Sequence, residues 1–148
     1  MRIAVSTDER TGVADAVIDE LRARGHDVVA THGAYGDDGP RDWPACSAAA
    51  ARDVAEGRAD QGIVCCWTGT GASIAANKVV GIRAALCADA ATADGARKWN
   101  DANVLALSLR TTSAALLTEI LDAWFAGAPS GEAGDVAKVE HLSELETR

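Results

Sequence analysis

Short apolar runs alternate along the chain with longer amphipathic stretches. Arg2–Ser6, Asp27–Thr31, Gln61–Cys66, Ile82–Cys87 and Asn103–Leu109 read as strands, the fifth almost continuously apolar. Continuous apolar character marks strands covered on both faces. Between them the period lengthens to that of helices. Val13, Val17, Ile18 and Leu21 repeat at helical spacing, Arg22 and Arg24 sit in the last turn, and Gly25 ends it. Ala45–Glu56 is an alanine-rich helix closed by Gly57, Ser73–Val79 a small-residue helix, and Asp89–Trp99 a polar, alanine-rich one. Thr112–Phe125 carries the stripe Leu116, Leu117, Ile120, Leu121 and Trp124. Gly33–Pro44 is rich in Gly, Pro and charge and reads as a loop, Gly127–Gly134 as a connector.

Strands alternating with helices predict one α/β domain over residues 1–148, its parallel sheet covered on both faces. In such sheets ligands bind beyond the carboxyl ends of the strands. Asp8, Cys66 to Gly71, Asp89 and Arg110 all fall at that edge. The tail Asp135–Glu146 reads as a further helix, with Val136, Val139, Leu142 and Leu145 three residues apart. Its narrow stripe suits packing on a partner subunit or on its own domain.

Composition removes several function classes. Fourteen Lys+Arg against 22 Asp+Glu give a net charge of −8, which disfavours nucleic acid or an anionic membrane as partner. No apolar run approaches the ~20 residues of a membrane span. The first residues enter a strand at once, without a signal peptide, so a cytoplasmic location is expected. The four cysteines form no C-x-x-C pair and no metal-ligand spacing with histidine, so no metal site is expected. Cys46, Cys65 and Cys87 read as small buried hydrophobes, while neighbouring Cys65 and Cys66 point to opposite faces of their strand.

Cys66-Trp67-Thr68-Gly69-Thr70-Gly71-Ala72-Ser73 is the stretch that carries chemistry. A strand that breaks at glycines and restarts as a helix turns free backbone N–H groups outward, a place that holds anions and developing negative charge. The dinucleotide fingerprint is incomplete, since Ile74 stands where its third glycine belongs, and the turn follows the third strand rather than the first. No glycine-lysine-Ser/Thr follows, which excludes a P-loop, and Gly-x-Ser-x-Gly is absent. A cysteine beside an anion cradle remains. Proton abstraction next to a carbonyl needs these parts: a base for the proton and N–H donors for the enediolate oxygen.

Cys66-x-Thr68-Gly69-x-Gly71-x-Ser73-Ile74-Ala75-Ala76-Asn77-Lys78 resembles the signature of the ribose-5-phosphate isomerase B and galactose-6-phosphate isomerase family. Asp8, Asp42-Trp43-Pro44, Gly81-Ile82-Arg83-Ala84, Asn100-Asp101-x-Asn103-Val104-Leu105 and Arg110 extend the match over nearly the whole chain. The resemblance implies a three-layer α/β/α sandwich with a five-stranded parallel sheet, Rossmann-like. It also implies a homodimer or homotetramer with sites between subunits, no metal or organic cofactor, and a sugar or sugar phosphate as ligand. The implied reaction interconverts an aldose phosphate and its ketose through an enediolate. One branch of the family uses the cysteine as base, the other a glutamate at the position of Ala72; this chain resembles the cysteine branch. By the same resemblance Thr68 assists proton handling, Gly69, Thr70, Gly71 and Ser73 supply the anion hole, and Asp8 and Asn100 bind sugar hydroxyls.

The departures define what is particular to this chain. Glu9 stands where the family carries histidine, Trp99 where it carries the ring-opening histidine, and Trp67 where it carries glycine after the cysteine. Of the phosphate-binding arginines Arg110 remains, Lys138 takes the place of a second, and the third falls near Gly134. Tryptophan stacks on a sugar face but is neither acid nor base. Ribose 5-phosphate is therefore expected to be a poor substrate. A non-catalytic sugar-binding relative is the second reading, a nucleotide module the third. His26, His32 and His141 read as surface residues outside the chemistry.

Overall fold

The computed structural model describes residues 1–36 and 38–146. Strands β1 (Arg2–Thr7), β2 (Asp27–Gly33), β3 (Gln61–Cys66), β4 (Ala84–Leu86) and β5 (Val104–Ser108) form one parallel sheet in the order β2-β1-β3-β5-β4. The connecting helices are α1 (Ala14–Ala23), α2 (Trp43–Ala55), α3 (Thr70–Ala76) and α4 (Ala90–Asn100), followed by α5 (Ala114–Ala126) and α6 (Ala133–Leu145). From β1 the chain leaves toward β2; from β3 it leaves the other way, past β5 to β4. The carboxyl ends of β1 and β3 thus form the switch point at which α/β sheets bind ligands.

Strand alternation builds two different cores. Ile3, Val5, Ile63, Cys65, Leu105 and Leu107 face α1, α4 and α5, where Val17, Leu21, Leu117, Ile120, Leu121 and Trp124 complete a core of large side chains. Ala4, Val64, Cys66, Val104 and Ala106 face α2 and α3, whose contributions are Ala50, Ala51, Ala72 and Ala76. Small residues on both sides let α2 and α3 lie close to the sheet. Cys65 and Cys66 accordingly face opposite layers, and Cys46, Cys65 and Cys87 are buried. Buried Trp124 places its indole N–H on Gln61 Oε1 at 2.7 Å, which satisfies the one polar group it carries into the core.

Several boundaries differ from the pattern reading, each for a local reason. α2 starts at Trp43, inside the expected loop, because Asp42 caps it by accepting from the Ala45 amide at 3.0 Å and Pro44 suits the first turn. α3 starts at Thr70, directly after Gly69 in left-handed conformation. β4 is three residues long rather than Ile82–Cys87. At its entry two asparagine side chains supplement the ladder. Asn103 accepts from the Arg83 amide at 2.8 Å and donates to the Gly81 carbonyl at 2.9 Å; Asn77 pairs both backbone groups of Ala84, at 2.8 and 2.9 Å. α6 buries none of its residues and leaves Val136, Leu142 and Leu145 exposed.

His32 is not a free surface residue. Its Nε2 lies 2.6 Å from Asp53 Oδ2, and Arg58 Nε donates to Asp53 Oδ1 at 2.7 Å, so a carboxylate on α2 anchors the edge strand β2. Burial pushes the Asp53 carboxyl up, but the hydrogen bonds and charges of His32 and Arg58 outweigh it and hold it below its ordinary value. A depressed carboxyl contributes stability above its unfolded value, near 3.9, and loses it as pH falls through the folded value. Asp53→Asn should therefore cost on the order of 2 kcal/mol at neutral pH. In urea titrations the gap to the wild type should close as pH drops below about 4.

Candidate active site

Cys66 ends β3 and is nearly covered by the small-residue core. The Ala72 amide donates to its Sγ at 3.4 Å, so the first turn of α3 is folded back over the sulfur. Gly69 makes that possible. Its φ is 75°, and a Cβ there would lie 2.5 Å from Leu86 Cδ1 and 2.9 Å from the backbone of Leu107 and Ser108. Only glycine fits both the conformation and the space. The turn is then tied to the end of β5. Gly69 and Leu109 amides donate to the Cys66 carbonyl at 3.2 and 3.0 Å, while the Arg110 amide and Ser108 Oγ donate to that of Trp67 at 2.9 and 3.0 Å.

Around this turn stand most of the predicted residues. Thr68 and Thr70 are exposed with their hydroxyls 2.8 Å apart, Trp67 is exposed at the lip, and Gly71 and Ser73 lie on the first turns of α3. Arg110 follows β5; it is exposed and in no ion pair among the described residues. Asp8 and Glu9 continue β1 next to β3, since Thr7 pairs with Cys65. Asp8 Oδ1 is buried and has no hydrogen-bond partner among the described residues. Burial pushes the Asp8 carboxyl above its ordinary value, the Glu9 charge adds to this, and nearby backbone amides oppose it. A buried carboxyl oxygen with no partner is suited to a ligand hydroxyl.

Trp43 joins the site although the pattern reading gave it no role. Its indole lies where a Cβ on Gly71 would be, 2.9 Å from Cε3 and 3.0 Å from Cδ2, so it packs flat on the start of α3. The signal was the Asp42-Trp43-Pro44 run, whose cap fixes where that ring sits.

Trp99, Asn100 and Lys138 are not brought to Cys66 within one chain. α4 runs back between two parallel strands, so Trp99 and Asn100 lie before β5, at the edge where its first residue Val104 pairs with Gly62 and Ala84. Cys66 pairs with Ser108 at the other edge. Trp99, Asn100 and Lys138 instead line one recess of about 410 Å³ with Asp135, Val139 and Leu142 of α6.

A sequence profile of the ribose/galactose isomerases matches residues 3–142. The chain belongs to the ribose/galactose isomerase family. Among its relatives is the galactose-6-phosphate isomerase subunit LacB of Clostridium acetobutylicum, 44% identical over 69% of this chain and 58% of that one. The D-erythrulose-4-phosphate isomerase of Pectobacterium atrosepticum is 34% identical over 99% of this chain and 95% of that one. The solved structure of ribose-5-phosphate isomerase B from Clostridium thermocellum, 37% identical, superposes with a TM-score of 0.89, covering 99% of this chain and 98% of that one. The α/β/α sandwich with five parallel strands is thus the fold of this isomerase family, as the resemblance implied. No helix among the described residues is long and apolar enough to cross a membrane.

Proposed function

We propose that this family member is an aldose–ketose isomerase acting on a sugar phosphate, with Cys66 as the base. The observation that carries the reading is the Cys66 sulfur under the first turn of α3, at the switch point of the sheet. The thiolate takes a proton from the carbon next to the carbonyl and returns it to the neighbouring carbon. The amides of Thr70 and Gly71 hold the enediolate oxygen while charge builds on it, since those of Gly69, Ala72 and Ser73 already donate to the Cys66 carbonyl, the Cys66 sulfur and the Gly69 carbonyl. Thr68, with Thr70 beside it, moves the hydroxyl proton between the two oxygens. Asp8 accepts a sugar hydroxyl through its unpartnered oxygen, and Arg110 holds the phosphate.

The separation of Asn100, Trp99 and Lys138 from Cys66 supports a site completed by a second copy, in a homodimer or a larger homo-oligomer. The exposed Trp99, Leu142 and Leu145 then lie at the face between copies, and Glu9 and Trp67 at the mouth of the shared site. A monomer's mass in sedimentation would overturn this arrangement. A cytoplasmic setting accords with the acidic, sugar-metabolising character proposed here.

Trp99 sharpens the choice of sugar. An indole cannot give or take the proton that opens a furanose. A four-carbon ketose phosphorylated on its last oxygen has no hydroxyl left to close a five- or six-membered ring, so it needs no ring opening. The named activity of the Pectobacterium relative is on such a sugar, D-erythrulose 4-phosphate. With that substrate kcat/KM is expected to exceed the value with ribose 5-phosphate, which must be opened from its furanose, by at least about tenfold. Equal or better turnover of ribose 5-phosphate would refute the assignment.

A further inference from the structure

The corner between α4 and β5 is more constrained than a turn requires. Asp101 caps α4 at φ 44°, ψ 44°, and among the described residues no other non-glycine has positive φ. Left-handed backbone is disfavoured for any residue with a Cβ, and helices commonly end on glycine there. Asp101 is held in it from two sides. Arg83 donates from Nη2 to Asp101 Oδ2 at 2.9 Å and from Nε to the Asp101 carbonyl at 2.7 Å. The buried Arg97 lies 3.7 Å from Oδ1, donates to the Ala102 carbonyl, and rests its guanidinium 5.5 Å from the centroid of the Trp124 ring. Arg83 is itself fixed, since its amide is bonded to Asn103 Oδ1.

The residues just before this corner are Trp99 and Asn100, both exposed on the recess shared with Lys138. Glycine would make the same turn at a lower conformational cost, but it would leave the last turn of α4, which ends at Asn100, untied from the residues before β4. Two arginines converging on Asp101 make that tie and so fix where Asn100 stands.

We propose that Asp101, locked by Arg83 and Arg97, is a positioning residue that aims Asn100 at the substrate in the site completed by the second copy. This rests on the reading above that Asn100 contacts the sugar. Asp101→Gly keeps the left-handed backbone available and removes the lock, at the cost of leaving the buried Arg97 without its carboxylate. Asp101→Asn, which also tolerates that backbone and keeps an acceptor for Arg83, is its conservative counterpart.

The test is a double-mutant cycle of Asp101→Gly with Asn100→Ala, using D-erythrulose 4-phosphate and D-ribulose 5-phosphate and reporting the faster. Asp101→Gly is expected to raise KM about tenfold with kcat changed less than about threefold, and Asp101→Asn to recover most of the loss. The iodoacetamide labelling rate of Cys66 stays at the wild-type value. In the Asn100→Ala background Asp101→Gly has no further effect on KM, because it acts through Asn100. Wild-type kinetics for Asp101→Gly beside an impaired Asn100→Ala would overturn the proposal, as would effects that multiply in the double variant. Wild-type kinetics for Asn100→Ala would instead overturn the placement of Asn100 in the site, and the proposal with it.

Discussion

Cys66→Ala is expected to lower kcat by about 10²–10⁴-fold, the range a positioned base contributes, with KM nearly unchanged. The substitution removes one sulfur from a layer built mostly of alanine and valine, and neither sheet register nor turn depends on it. The Ala72 amide loses its acceptor. Stability should therefore fall by no more than about 1–2 kcal/mol, and urea denaturation beside steady-state kinetics separates the two effects. A catalytic loss matched by a comparable loss of folded protein would point to structure instead of chemistry.

Gly69→Ala should be severely damaging for a single added methyl. A Cβ there meets backbone atoms of Leu107 and Ser108 at 2.9 Å, and β5 cannot move away because it pairs with both β3 and β4. The left-handed conformation adds its own cost. Together these amount to on the order of 3 kcal/mol, and displacement of the turn should remove at least about 10² of kcat in what remains folded. Gly57→Ala is the matching control. Its φ is 73°, almost the same, but none of the described residues lies within 4 Å of a Cβ there, so only the conformational cost of about 1 kcal/mol applies and activity is kept.

These two residues show what could be read from the chain and what could not. β3 and β5 were legible because strands buried on both faces must be apolar throughout, and Cys66 lay at the end of one of them. The glycine turn was legible because only glycine makes it. β4 was overestimated because its entry is held by Asn77 and Asn103, and nothing in a local pattern says that a side-chain amide supplements the ladder. Trp43 was matched to the family but given no role, because it acts through contact with Gly71, almost thirty positions on, after a cap that starts α2 early. His32 read as a surface residue because its partner, Asp53, belongs to the next helix.

The site residues divide along the same line. Asp8, Glu9, Cys66 to Ser73 and Arg110 follow strand ends and so share one edge of the sheet by topology alone. Trp99 and Asn100 end a helix and lie at the other edge, and Lys138 stands on a helix that buries none of its own side chains. Residue type and motif order could nominate them, but only a fold shows that one chain keeps them from Cys66.

Proton transfer at Cys66 is tested most directly by solvent exchange. D-Erythrulose 4-phosphate and the pentose phosphates are incubated in D2O with the wild type or with Cys66→Ala, and deuterium at C1 and C2 is followed by NMR. The wild type is expected to exchange and isomerise at least one of these sugars, with Cys66→Ala doing neither at a measurable rate. Exchange by Cys66→Ala at the wild-type rate would contradict the assignment of the base, and no exchange by the wild type into any of them would contradict isomerase activity on these sugars.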